Sequence, residues 1–169
     1  MTVPDVRAGS PGAGLPLRVL VDQPEIPGNT GNMIRLAAVT GFELHIAGPT
    51  LFEFSDAKLR RAGLDYHDLA VLTMHENLEA AYAALAPQRI FAFTGEASTR
   101  HTAVTYQEGD VLLFGRESTG LDDHVKNDPR VTDKVRIPML PGRRSLNLAN
   151  SVSIAVYEAW RQHGFPGAV

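Results

Sequence analysis

Two stretches of this chain crowd small polar side chains where a loop turns into a helix. In PMLPGRRSLNLANSVSIAVYEAW, residues 138–160, Ser145, Asn147, Asn150, Ser151 and Ser153 gather at the join behind Arg143 and Arg144. In PGNTGNMIR, residues 27–35, two glycines with Asn29 and Asn32 open a helix that carries Arg35 about one turn inside. The first turn of a helix leaves backbone N–H groups without partners, so such residues suit capping or the binding of a phosphate or another anion. A capped helix whose Arg35 pairs with a carboxylate is the competing reading, and spacing leaves the two open. In the first stretch a bare boundary accounts for one or two of the polar residues. The small Ala149, Ser151, Ser153 and Ala155 would in addition let another backbone approach closely.

Much other chemistry is excluded. The chain has no cysteine, which removes disulfides, thiolate zinc sites and cysteine nucleophiles. Histidines at 45, 67, 75, 101, 124 and 163 show no metal-ligand spacing, so no metal is expected. GRESTG (115–120) has its serine one place late for a GxSxG nucleophile elbow. There is no GxxxxGK[ST] loop, and the glycine cluster GSPGAG precedes the first strand where a dinucleotide fingerprint would follow it.

The elements that must position these residues alternate between two periods. LRVLVD (17–22), ELHIAG (43–48), LAVLTM (69–74), RIFAFT (89–94), DVLLFG (110–115) and KVRIPM (134–139) are short apolar runs, expected as strands. Between them, helices are expected from Asn29 as cap to Gly41 as terminator, over 55–63 from Ser55, and over 76–86. The first should bury Met33, Ala37 and Thr40 with Ile34 and Ala38 beside them. Pro138 and Pro141 forbid helix, while Leu148, Val152, Ala155 and Ala159 resume its period, so the last loop should end near Ser145 to Asn147. Alternation implies an α/β domain with a mostly parallel sheet flanked by helices. Ligands gather at the carboxyl ends of such strands, which makes TGEAST, GRESTG and LPGRRS the expected walls of one pocket.

At 169 residues and 44% hydrophobic composition the chain suits a single domain, residues 17–169, behind a Pro/Gly-rich tail at 1–16 expected to be flexible. Neither a signal peptide nor a membrane-length apolar run is present, so a cytoplasmic location without membrane contact is expected. The net charge of −3 does not mark a generic nucleic-acid binder, so any RNA affinity must be local.

The order PEIPGNTGNMIRLAA, LRRAGLDYH, LLFGRESTGL and IPMLPGRRSLNLANSVSIAVYEAWRQ closely resembles the SPOUT superfamily, and within it the TrmL (YibK-like) tRNA 2′-O-methyltransferases, from about Leu17 to the carboxyl terminus. The resemblance implies an α/β sheet whose carboxyl end is tied in a trefoil knot, a homodimer packed through the first and last helices, and S-adenosylmethionine as cofactor. It implies methylation of the ribose 2′-OH of the wobble nucleotide, position 34, in leucine tRNAs.

By that likeness Phe93, Gly115, Ile137, Ser145 and Leu146 would hold the cofactor, the glycine by letting backbone approach, the apolar pair as adenine walls. Arg35 matches an arginine proposed as general base. A guanidinium with a pKa above ~12 suits phosphate or ribose positioning better. Glu117, beside the pocket, would favour a sulfonium by charge, and Asn150 is a further candidate at the catalytic centre. Asn29, Asn32, Arg60, Arg61, Arg143, Arg144 and Tyr157 are the expected RNA contacts, with Tyr157 equally a helix-packing residue. Two departures stand out: Arg116 replaces a common proline, and LANS (148–151) replaces LSNA. Another RNA acceptor, or a nucleotide-binding module without turnover, are the alternatives.

Overall fold

The computed structural model describes residues 16–53, 56–61, 63 and 72–169. The tail at 1–15, the expected helix start at Ser55, part of LRRAGLDYH and the first half of the expected strand at 69–74 lie outside the described residues.

The apolar runs form β1 (Arg18–Asp22), β2 (Glu43–Ala47), β3 (Leu72–His75), β4 (Ile90–Phe93), β6 (Val111–Phe114) and β7 (Asp133–Arg136), with a short β5 (Thr99–Arg100) between the fourth and sixth. Every strand pair is parallel, in the order β3-β2-β1-β6-β4-β7-β5. Helices α1 (Pro27–Thr40), α2 (Asp56–Arg61), α3 (Leu78–Leu85), α4 (Asp123–Lys126) and α5 (Leu148–Gln162) flank the sheet. β5 and α4 lack a sequence signal because a hydrophobic period cannot declare itself over so few residues.

Helices on both faces explain why the strands read as continuous apolar runs. Alternate residues point to opposite sides: Val19, Val21, Phe91, Phe93, Leu112 and Phe114 pack with α1 and α5, whereas Leu20, Ile90, Ala92, Val111 and Leu113 pack with α3 and α4. On α5 the periodic set Leu148, Val152, Ala155 and Ala159 is buried, as is the set Met33, Ile34, Ala37 and Thr40 on α1. Ala38, expected in that stripe, is exposed instead. Ile34 lies at the edge of the buried arc, and a step of four residues turns a further ~40° toward solvent.

Chain order and sheet order diverge in the second half. β6 is laid between β1 and β4, and β7 between β4 and β5. The carboxyl ends of β4, β6 and β7 therefore lie side by side, and their loops leave from one edge.

Candidate active site

A cavity of about 510 Å³ opens where those three strands end. Thr94, Gly95 and Glu96 follow β4, Gly115 to Leu121 follow β6, and Ile137, Met139 and Ser145 to Leu148 follow β7, with Ile26 and Asn29 closing it from the start of α1. The three expected loops thus converge, although Leu140 to Arg143 turn away into a neighbouring groove. Phe93, Gly115, Ile137, Ser145 and Leu146 all border the cavity. Phe93 stacks on Phe114 with ring centroids 4.5 Å apart, and Ile137, Met139 and Leu146 extend that apolar surface. The volume falls in the ~300–1,000 Å³ range of small-molecule pockets. Apolar walls suit the flat heterocycle of an adenosyl cofactor, and the charged side chains at the cavity are Glu96 and Glu117 together with Arg116 and Lys126. Glu96 shares its charge with Lys126, whose Nζ lies 2.7 Å away and also 3.1 Å from Asp123.

The loop after β6 is held at successive residues. A Cβ on Gly115 would lie 2.3 Å from the backbone of Gly120 and Leu121, so the tight approach that needs glycine is made by the protein's own chain folding back. The Gly120 N–H donates to the Arg116 carbonyl at 3.0 Å, and the Arg116 guanidinium pairs with Asp122 at 3.0 Å, which accounts for arginine at this position. Glu117 accepts from the N–H groups of Glu25 (2.7 Å) and Ile26 (3.0 Å) and from Asn29 Nδ2 (3.3 Å). In return Ser118 donates its N–H and hydroxyl to Glu25 Oε1 at 3.1 and 2.6 Å, which holds the Glu25 carboxyl below its ordinary range.

Helix α1 consequently starts differently from its expected form. Pro27 occupies the first turn, where its missing N–H costs nothing, and Ile26 is an N-cap without a side-chain bond. Asn29 lies inside the first turn, buried, and caps nothing. The backbone N–H groups just ahead of this terminus, on Glu25 and Ile26, are met internally by the Glu117 carboxylate. Gly41 ends the helix at φ 83°, as expected.

Asn147 connects this clasp to the last helix. Its Oδ1 caps α5 by accepting from the Asn150 N–H at 3.1 Å, while its Nδ2 donates to Asn29 Oδ1 at 2.9 Å. Glu117, Asn29 and Asn147 thus form one hydrogen-bonded chain across three elements. Ser151 and Ser153 donate their hydroxyls to the carbonyls of Asn147 and Ala149. Capping and back-bonding thus engage Asn147, Ser151 and Ser153, while Ser145, Asn147 and Ser151 all border the cavity.

The remaining candidates lie outside the cavity. Arg35 stands about two turns inside α1, exposed, with Nη2 donating to the Gly63 carbonyl. Asn32 and Asn150 are exposed on α1 and α5. Tyr157 is half exposed and meets Trp160 edge-on at 5.6 Å. Arg60 and Arg61 are exposed at the end of α2, Arg143 lines the neighbouring groove, and Arg144 is exposed beside it. Sequence reasoning missed Asn147 as a connector and the Glu96–Lys126 pair, since their partners are remote in the chain. Among the described residues no group of three or more His, Asp or Glu converges as a metal site, and no helix is long and apolar enough to cross a membrane.

Known proteins resemble this chain in sequence and in fold. A protein of Methylovorus glucosotrophus (strain SIP3-4) named tRNA (cytidine(34)-2'-O)-methyltransferase is 52% identical over 151 residues, which cover 89% of this chain and 98% of that protein. A solved structure described as giving structural insights into the 2-OH methylation of C/U34 on tRNA is 43% identical, with a TM-score of 0.79, covering 88% of this chain and 96% of its own. The SpoU methyltransferase AviRb from Streptomyces viridochromogenes, solved in complex with the cofactor AdoMet, is 28% identical with a TM-score of 0.71 and covers 96% of this chain and 66% of its own. Residues 16–157, which contain β1 to β7, every loop of the cavity and most of α5, match the SpoU rRNA Methylase family, and the chain belongs to that family.

Proposed function

We propose that this protein methylates the 2′-hydroxyl of the wobble ribose, position 34, of leucine tRNAs, using S-adenosylmethionine and acting as a homodimer in the cytoplasm. The observation that supports this most is the meeting of Phe93, Gly115, Ile137, Ser145 and Leu146 at one cavity. Relatives at about half identity carry the name tRNA (cytidine(34)-2'-O)-methyltransferase, which supports the position and the 2′-oxygen as acceptor.

The bound donor supplies a methyl group activated on a sulfonium. The chain supplies position and surroundings. Phe93, Phe114 and Ile137 flank the adenine, and backbone groups near Ser145 and Leu146 meet its polar edge. Glu117 is engaged by three donors, which makes it a strut whose charge favours the sulfonium while its lone pairs are committed elsewhere. Arg35, exposed and permanently charged, holds a phosphate next to the target ribose together with Asn32. Arg60, Arg61, Arg143 and Arg144 contact the RNA backbone.

The second copy packs on the outer faces of α1 and α5, where Val39, Ile154 and Tyr157 leave large apolar side chains exposed. Asn150, Ile154 and Tyr157 follow one another at helical spacing on α5. The catalytic domain begins at Leu17, and the segment from β6 onward is threaded as a trefoil knot.

The test is transfer of labelled methyl to tRNA from cells lacking this modification, followed by mapping of the methylated nucleotide. Methylation at position 34 of leucine tRNA is expected, and Arg35→Ala should abolish it while S-adenosylhomocysteine still binds. Absence of transfer to any such tRNA overturns the reading.

A further inference from the structure

Beside the cavity, sharing Gly95, Met139 and Ser145 with it, lies a second groove of about 770 Å³. Arg100, Arg136 and Arg143 line it, and no acidic side chain does. Other arginines of the fold are engaged: Arg89 by Asp110, Arg116 by Asp122, Arg130 by Glu79 and Asp128, and Arg161 by Glu158. The side chains of Arg100, Arg136 and Arg143 form neither a hydrogen bond nor an ion pair with the described residues. The register of β5 on β7 sets Arg100 directly opposite Arg136. Like charges at opposed positions of neighbouring strands repel, so the isolated fold gains nothing from this pair.

We propose that the groove binds consecutive phosphates of the RNA strand entering the cavity, with Arg100 and Arg136 as a clamp and Arg143 as a third contact. This rests on the RNA methyl-transfer reading above, and names where the nucleic acid enters. Each guanidinium presents a planar fork that matches phosphate oxygens, and the gathered anion removes the Arg100–Arg136 repulsion. The shared wall at Gly95, Met139 and Ser145 places bound phosphate next to the expected cofactor. With a net charge of −3 over the whole chain, a local cluster of this kind is what RNA affinity requires.

The test is the double variant Arg100→Gln/Arg136→Gln, with tRNA affinity followed against salt and S-adenosylhomocysteine affinity measured by calorimetry. Loss of at least tenfold in tRNA affinity is expected, with the slope of log affinity against log salt reduced by about 1.5. KM for tRNA should rise more than kcat falls, cofactor affinity and thermal unfolding should be kept, and the paired-arginine control Arg130→Gln should bind tRNA like the parent. Unchanged tRNA affinity and slope in a double variant of an active enzyme overturns the groove alone. Weakened S-adenosylhomocysteine binding with tRNA affinity intact also overturns it, since the arginines would then serve the cofactor. A parent protein that neither binds nor methylates tRNA overturns the functional reading and the groove together.

Discussion

The loops after β6 and β7 border the same cavity and are held in opposite ways. Residues 115–122 are fixed by backbone contact at Gly115, an ion pair at Arg116, three donors on Glu117 and two bonds from Ser118. Residues 138–146 form no hydrogen bond to any other segment among the described residues, and Leu140 is 72% exposed. One wall is built in advance, and the other has the low contact density of a segment that opens at little cost and orders on its ligand. Preorganisation on one side removes part of the ordering cost of binding, while freedom on the other leaves an entry for a large substrate.

The largest effect on the fixed wall is expected from Gly115→Ala. A methyl group within van der Waals overlap of the Gly120–Leu121 backbone should cost about 3 kcal/mol in urea unfolding and at least tenfold in S-adenosylhomocysteine affinity. A variant that unfolds and binds like the parent would show that the wall is not rigid. Asn147→Ala should cost about 2 kcal/mol, because it removes the α5 cap and strands Asn29 Oδ1 in a buried site. A double-mutant cycle with Asn29→Ala should give a coupling above ~0.5 kcal/mol. Additivity would mean the two asparagines act separately.

Glu25 ties the fixed wall to pH. Its carboxyl is held low by the Ser118 hydroxyl and N–H, so it stabilises the fold above the ordinary value of 4.5 and that contribution fades as pH falls below it. A small decline in Tm between about pH 5 and 3 should be present in the parent and reduced in Glu25→Gln. On the other wall the effect should be smallest: Leu140→Ala should change stability by less than ~0.5 kcal/mol. In hydrogen exchange, S-adenosylhomocysteine should slow residues 139–146 and leave 115–121 unchanged. Equal protection of both segments without ligand would remove the distinction.

Legibility in the sequence follows the range of the interactions. The strands, the convergence of three strand-end loops and the buried stripe of α5 are local matters of period and Pro/Gly punctuation, and they stand as expected apart from boundaries and Ala38. The start of α1 differs from its expected form because the cap is Ile26, whereas Asn29 has only the residue type and neighbours of a cap. Its actual partners, Glu117 and Asn147, are 88 and 118 residues away. Likewise the close return of Gly120 onto Gly115 is not legible in neighbouring residues, and Arg35 lies about two turns inside α1 because the cap is Ile26, three residues before Asn29.

The alternation of buried strands and amphipathic helices, the exclusion of thiol chemistry and the family motifs are all carried by the primary structure. These depend on residues within a turn or two of one another, where backbone restriction and hydrophobic period act. Tertiary structure alone decided that β6 enters between β1 and β4 and β7 between β4 and β5. That insertion brings Ser118 to Glu25 and sets Arg100 against Arg136. No local period encodes strand order, so the partners of the site's charged groups exist only once the sheet is assembled.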